Sequence, residues 1–228
     1  MTMEQIISFL EKHAEPEYAA FSASLLNDTI TVRGVRLPLL RKFARQLVKE
    51  GVWLRLWEED TDRSFEMILL KGLTLAGAKL PEEERWEYIA RYVPLITNWA
   101  LCDSVCTSLR FVRREPESAW QRLQPYWLSD REFAQRFAVV MLLDHFLTSD
   151  YIERVLEVLT SLQPAGYYAA VAVAWALSVA FVDFPERVYA LLQSGCLSDE
   201  VQRLTLRKII ESRRVSDSWK ERIRALRN

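Results

Sequence analysis

Pro164-Ala165-Gly166-Tyr167-Tyr168-Ala169-Ala170-Val171-Ala172-Val173-Ala174-Trp175-Ala176-Leu177-Ser178-Val179-Ala180-Phe181-Val182 runs for nineteen residues without a charge. On length alone it is sufficient to span a bilayer. Its composition and setting argue otherwise. It opens with Pro-Ala-Gly, is rich in alanine, and stands alone among strongly amphipathic neighbours. A helix that is apolar all round is enclosed by other helices, and alanine side chains let those neighbours approach closely. The stretch therefore predicts a buried central helix of an all-α protein.

Outward from this segment, apolar residues recur at helical spacing almost from end to end, with no convincing period-two strand. The pattern predicts helices over roughly 3–13, 15–27, 38–50, 52–59, 62–79, 82–92 and 97–112. It continues with 116–127, 130–147, 150–162, 165–182, 185–194, 197–212 and 216–227. Pro38, Pro81, Pro116 and Pro185 stand at first turns, where a missing N–H costs nothing. Phe65, Trp99, Phe133, Tyr168 and Val201 open successive similar helices at steps of 34, 34, 35 and 33 residues. Helical hairpins at such a period predict an α-solenoid, whose units bury their apolar faces by stacking. One domain over 1–228 is expected, with a helical cap at 1–36 and repeated HEAT-like pairs over 37–228 enclosing a concave binding face.

Six glycines and eight prolines are few for 228 residues, which disfavours many-turned β folds. A net charge of −1 excludes a chain basic throughout, although one basic face balanced by an acidic back remains compatible with nucleic acid. Three cysteines, at 102, 106 and 196, form no disulfide framework. With His13 and His145 as the only histidines, a Cys/His metal site lacks ligands at workable spacing. The N-terminus has no basic segment followed by an apolar run, so no signal peptide is read there. A reduced, cytoplasmic protein, monomeric and without metal or membrane association, is the expectation.

Ile96-Thr97-Asn98-Trp99-Ala100-Leu101-Cys102-Asp103-Ser104-Val105-Cys106 sets an indole and a carboxylate four residues apart. At about 100° per residue, Trp99, Asp103, Thr107 and Arg110 share one stripe, with Leu101, Val105 and Leu109 opposite. A Trp on a polar stripe points to something other than core packing. Cys102 and Cys106 read as small core residues.

Gly34-Val35-Arg36-Leu37-Pro38-Leu39-Leu40-Arg41-Lys42, Asn98-Trp99…Asp103, Gln135-Arg136-Phe137-Ala138-Val139-Val140-Met141-Leu142-Leu143 and Tyr167-Tyr168…Ala172-Val173-Ala174-Trp175-Ala176-Leu177-Ser178 occur in this order along the chain. In that order and spacing the chain resembles the DNA alkylation repair family, the AlkD-like HEAT-repeat proteins. The resemblance implies a solenoid holding double-stranded DNA. It also implies excision of N3- and N7-alkylated purines by a monofunctional glycosylase of base excision repair that needs no cofactor. Trp99 and Trp175 match aromatics flanking the damaged nucleotide, Asp103 the catalytic carboxylate, and Arg136 a DNA-contacting arginine. The departure is N-terminal: where glycosylase members present a further aromatic to the lesion, Leu25 stands, with Tyr18 and Phe21 nearby but out of register.

Each site residue has an ordinary alternative. Asp103 reads equally as a solvated mid-helix carboxylate, and Trp175, beside Tyr168, Val171, Ala172 and Val179, as core. Arg136, among Phe133, Val140 and Leu143, needs a partner; a phosphate suits its planar fork, as does Asp103 or Asp144. The remaining tryptophans (53, 57, 86, 120, 127, 219) are expected to be structural. Basic clusters at 33–45, 110–114 and 200–228 fit a DNA-facing concavity or plain solvated faces. The rival functions are a relative that binds DNA without cutting it, and a scaffold that binds protein partners.

Overall fold

The computed structural model describes residues 1–26, 29–60 and 62–226. Among them fourteen α-helices and two short 3-10 turns account for the regular structure, with no strand. The chain divides into two compact units, Met1–Phe111 and Val112–Asn228. The first holds α1 Met3–Lys12, α2 Pro16–Leu26, α3 Leu37–Lys49, α4 Arg55–Glu58, α5 Phe65–Gly77, α6 Glu82–Tyr92 and α7 Trp99–Cys106. The second holds α8 Pro116–Trp127, α9 Glu132–His145, α10 Ile152–Ser161, α11 Tyr167–Asp183, α12 Pro185–Ser194, α13 Asp199–Glu211 and α14 Asp217–Ala225. The helices read over 82–92, 116–127 and 185–194 coincide with α6, α8 and α12. Asn27 and Arg227, the expected last residues of two others, lie outside the described residues.

In the first unit α5 packs between α3 and α7. Leu40, Phe43 and Leu47 of α3, Met67 and Leu70 of α5, and Leu101 and Val105 of α7 are all buried. Gly72 is what lets α5 lie so close: a Cβ there would meet Val105 at 2.5 Å and the Tyr92 ring at 2.6 Å. Tyr92 is itself buried and donates its hydroxyl to the Leu101 carbonyl at 3.1 Å. Cys102 and Cys106 are buried and unbridged, as small core residues.

In the second unit alternate helices form two rows. α9, α11 and α13 pack side by side, α11 in the middle. The other row is linked by ion pairs that repeat from helix to helix. Glu117 of α8 meets Arg154 of α10 at 2.6 Å, Glu153 of α10 meets Arg187 of α12 at 2.7 Å, and Glu186 of α12 meets Arg222 of α14 at 3.8 Å. Each glutamate lies in the first turn of its helix, where negative charge also suits the helix dipole. Arg154 stacks over Trp120 at 4.3 Å and Arg222 over Trp219 at 4.0 Å.

The central helix departs from expectation in one respect. α11 buries Ala169, Ala172, Val173, Ala176, Leu177 and Ala180, but Tyr168, Val171, Trp175, Val179 and Val182 are only half-buried. Those five recur every three or four residues, so α11 keeps one apolar side partly open rather than being enclosed all round. No helix among the described residues is long and apolar enough to cross a membrane.

Candidate functional site

α7 begins where Asn98 caps it, its side-chain oxygen accepting the Leu101 N–H at 3.1 Å. Trp99 and Asp103 are half-buried, while Leu101, Cys102, Val105 and Cys106 are buried opposite them, as the stripe requires. The helix stops earlier than read. Thr107 is its C-cap, and the Thr107 and Ser108 hydroxyls turn back to the carbonyls of Asp103 and Ser104, at 3.0 and 3.1 Å. Such back-bonding offers the backbone an alternative to further helix. Arg110 therefore starts a 3-10 turn and does not belong to the Trp99–Asp103 stripe. Arg41 of α3 donates to the Ser104 carbonyl at 3.2 Å, placing positive charge at the helix C-terminus where the dipole favours it. Within the Gly34–Lys42 segment, Arg41 is thus a positioning residue for α7, a role no local sequence signal revealed.

The Trp99 indole N–H donates to the Leu25 carbonyl at 3.3 Å, so the end of α2 fixes the ring. α2 is fixed in turn by the segment that follows it. Glu15 N–H donates to the Gly34 carbonyl at 3.2 Å. The Glu15 carboxylate pairs with the Arg36 guanidinium at 2.8 Å, which lies over the Tyr18 ring at 4.6 Å. Gly34 has φ 91°, a region costly for other residues, and a Cβ there would strike the Glu15 carbonyl oxygen. Glu66 of α5, only 1 % exposed, accepts the N–H groups of Arg33, Gly34 and Val35 at 3.1, 2.8 and 3.1 Å. This buried carboxylate organises the loop from 31 residues away, and the sequence reading missed it.

Between α2, this loop, α5 and α7 lies a cavity of about 190 Å³, lined by Tyr18, Phe21, Leu25, Phe65, Glu66 and Trp99 among others. Phe21 and Leu25, one helical turn apart, are 59 % and 50 % exposed, and Ala100 and Ser104 complete the α7 wall.

Arg136 of α9 is 4 % exposed and donates through Nη1 to the Tyr168 carbonyl at 2.8 Å. Glu132 accepts the Tyr168 N–H at 2.6 Å. Two side chains one helical turn apart thus hold the first turn of α11. A backbone carbonyl, a partner the sequence reading had not considered, takes part of the Arg136 fork. Trp175 sits on the half-open side of α11. Lys208 of α13 is pushed below the ordinary lysine range by burial and by the neighbouring cations Arg136 and Arg207, against the pull of Glu211. Two residues of the basic clusters have structural partners: Arg33 pairs with Asp62, and Arg113 donates to the His145 ring at 3.1 Å and to the Asp144 carbonyl at 2.8 Å. Among the described residues no group of histidine, cysteine or carboxylate side chains is arranged to hold a metal. Trp53, Trp86, Trp120 and Trp127 are buried and Trp57 and Trp219 half-buried.

The architecture is that of an all-helical protein with an indole and a carboxylate one turn apart on the half-buried side of a capped helix. The chain belongs to the family of DNA alkylation repair enzymes, whose pattern it matches over residues 6–211. No individually curated protein matches it. Family membership supports a role in DNA repair.

Proposed function

We propose that this protein is a monofunctional glycosylase that releases N3- or N7-alkylated purines from double-stranded DNA, and that its helix pairs are HEAT-like repeats. Asp103 is the catalytic carboxylate, Trp99 and Trp175 contact the lesion, and Arg136 serves the DNA backbone. The observation that carries this reading is the placement of Trp99 and Asp103 on one side of α7, away from its buried face, in a chain of this family.

The chemistry asks little of the protein. An N3- or N7-alkylated purine is already cationic, so it departs without a general acid. As the C1′–N bond breaks, its electron pair goes to the base nitrogen and neutralises it. Water then adds to C1′ and gives up a proton to solvent, leaving an abasic deoxyribose. What the site must stabilise is the positive sugar in between. A carboxylate about 4 Å from that charge, at an effective dielectric of about 20, interacts by roughly 4 kcal/mol. Acting only in the transition state, this amounts to about three decades in rate. The indole faces stabilise the cationic base by the electrostatics of cation–π contacts.

A second reading, DNA binding without base release, is favoured by Leu25, an aliphatic residue where glycosylase relatives place an aromatic. One experiment separates the two. Wild type and Asp103→Asn are incubated with duplexes carrying 7-methylguanine, and free base is assayed. Loss of about two to three decades in rate with duplex affinity retained supports the glycosylase. Absence of release by wild type that still binds duplex supports the second reading. Equal activity of the two proteins removes Asp103 from the role.

A further inference from the structure

We propose that the cavity between α2 and α7 receives the alkylated purine itself, turned out of the duplex. This rests on the glycosylase reading and specifies where its substrate base sits. A base inside a stack offers an enzyme neither its face nor its glycosidic bond, and enzymes that act on bases commonly unstack them into a pocket walled by aromatic side chains.

Three observations point to such an occupant. The first is size. The cavity is about 190 Å³, and an enclosed apolar cavity of roughly 150 Å³ takes up benzene. This one therefore suits a flat heterocycle rather than a whole nucleotide.

The second is its lining. Tyr18, Phe21, Phe65 and Trp99 contribute aromatic rings, and the Glu66 carboxylate forms part of the wall. The indole is pinned by its bond to the Leu25 carbonyl, so this wall is pre-set. Rings and a carboxylate together favour a planar cation over a neutral base.

The third is the mouth. Phe21 and Leu25 are two of only four strongly exposed large apolar side chains among the described residues, and both line this cavity. Apolar side chains beside a DNA duplex act as wedges that separate stacked bases, and here they stand at the entrance to a space of base size. Ala100 and Ser104 of α7 face the cavity, while Asp103 lies between them in sequence, about 100° around the helix from Ser104. A base held against Ala100 and Ser104 leaves its sugar at the rim, on the side of Asp103.

The test uses the whole chain and a duplex with one 2′-fluoro-7-methylguanine, in which fluorine slows cleavage, beside a 2-aminopurine. The reporter brightens when its neighbour leaves the stack. Two variants fill the cavity from α2, Leu25→Trp, which keeps the carbonyl that holds Trp99, and Ser22→Phe; circular dichroism and melting show that each is folded. The expected result is at least a twofold rise in reporter fluorescence with wild type. At least one folded variant should lose that rise while binding undamaged duplex within about threefold of wild type. Release of 7-methylguanine from a cleavable duplex should fall in parallel. Cleavage by wild type with no fluorescence change, or with both variants cleaving at the wild-type rate, overturns the inference and leaves the glycosylase reading intact. Absence of cleavage and of duplex binding by wild type removes the glycosylase reading, and the inference with it.

Discussion

Replacing Glu66 by alanine should cost more stability than any conservative change around the cavity. Its carboxylate accepts three backbone N–H groups, from Arg33, Gly34 and Val35, at 2.8–3.1 Å, and two of those bonds are buried. Each buried donor left without a partner costs about 1–3 kcal/mol. With the exposed edge near Arg33 rehydrated, Glu66→Ala should lose roughly 3–6 kcal/mol, a large share of a stability of about 5–15 kcal/mol. Glu66→Gln keeps the shape and one acceptor oxygen, and should lose only about 1–2 kcal/mol, the difference between a charge-assisted and a neutral acceptor. Urea unfolding gives the two losses, and amide exchange shows where they act. The Gly34 and Val35 amides should exchange far faster in the alanine variant than in the glutamine variant. A Glu66→Ala protein within about 0.5 kcal/mol of wild type, with those two amides still protected, would refute the idea that this carboxylate organises the loop.

Arg136→Ala should weaken binding to all duplexes alike and flatten the dependence of log affinity on log salt by about one unit if the guanidinium neutralises a phosphate; an unchanged slope would leave it only the task of holding Tyr168. The double change Arg154→Ala, Arg187→Ala should leave duplex affinity within about twofold of wild type in a filter-binding titration, because both arginines are engaged by Glu117 and Glu153. Asp62 is buried enough to raise its pKa, but the Ser64 N–H and the Arg33 guanidinium outweigh that and hold it below the ordinary carboxylate range. With its folded value below its unfolded one, its contribution is full at neutral pH and lost as pH falls through the carboxylate range. Asp62→Asn should therefore show a smaller drop in melting temperature between neutral and acid pH than wild type.

Helices were legible because burial imposes a period, and long-range partners were not because nothing local encodes them. Leu101, Val105, Leu109 and Val112 are all buried, so the apolar period carries straight through the point where α7 ends. Only the hydroxyl back-bonds of Thr107 and Ser108 and the reach of Arg41 end the helix, and hydrophobicity does not register them. In α11 every residue from Tyr167 to Val182 is uncharged, and a pattern without contrast cannot show which side stays open. Trp175 was ambiguous for that reason, and its half-burial with Val171 and Val179 sets it apart from the alanine-rich packed side. The Trp99–Asp103 pair was legible because it contrasts with its own helix. Glu66 was not, since its three donors lie 31–33 residues away.

The basic clusters acquire distinct meanings once their partners are known. In the second unit Arg154, Arg187 and Arg222 lie in the row of even-numbered helices and close a repeating set of ion pairs. Exposed pairs of this kind contribute little each, but their regular recurrence aligns successive helices, and their charge is compensated on the spot. The other row is different in kind. There Arg136 and Arg207 both press on Lys208 strongly enough, with burial, to lower its proton affinity. Cations brought together from α9 and α13 raise each other's energy, and an approaching phosphate relieves that repulsion while releasing counterions. Trp175 and the half-open side of α11 belong to this same row. An anionic ligand therefore gains most from the odd-numbered helices of the second unit, whatever the count of arginines along the sequence suggests.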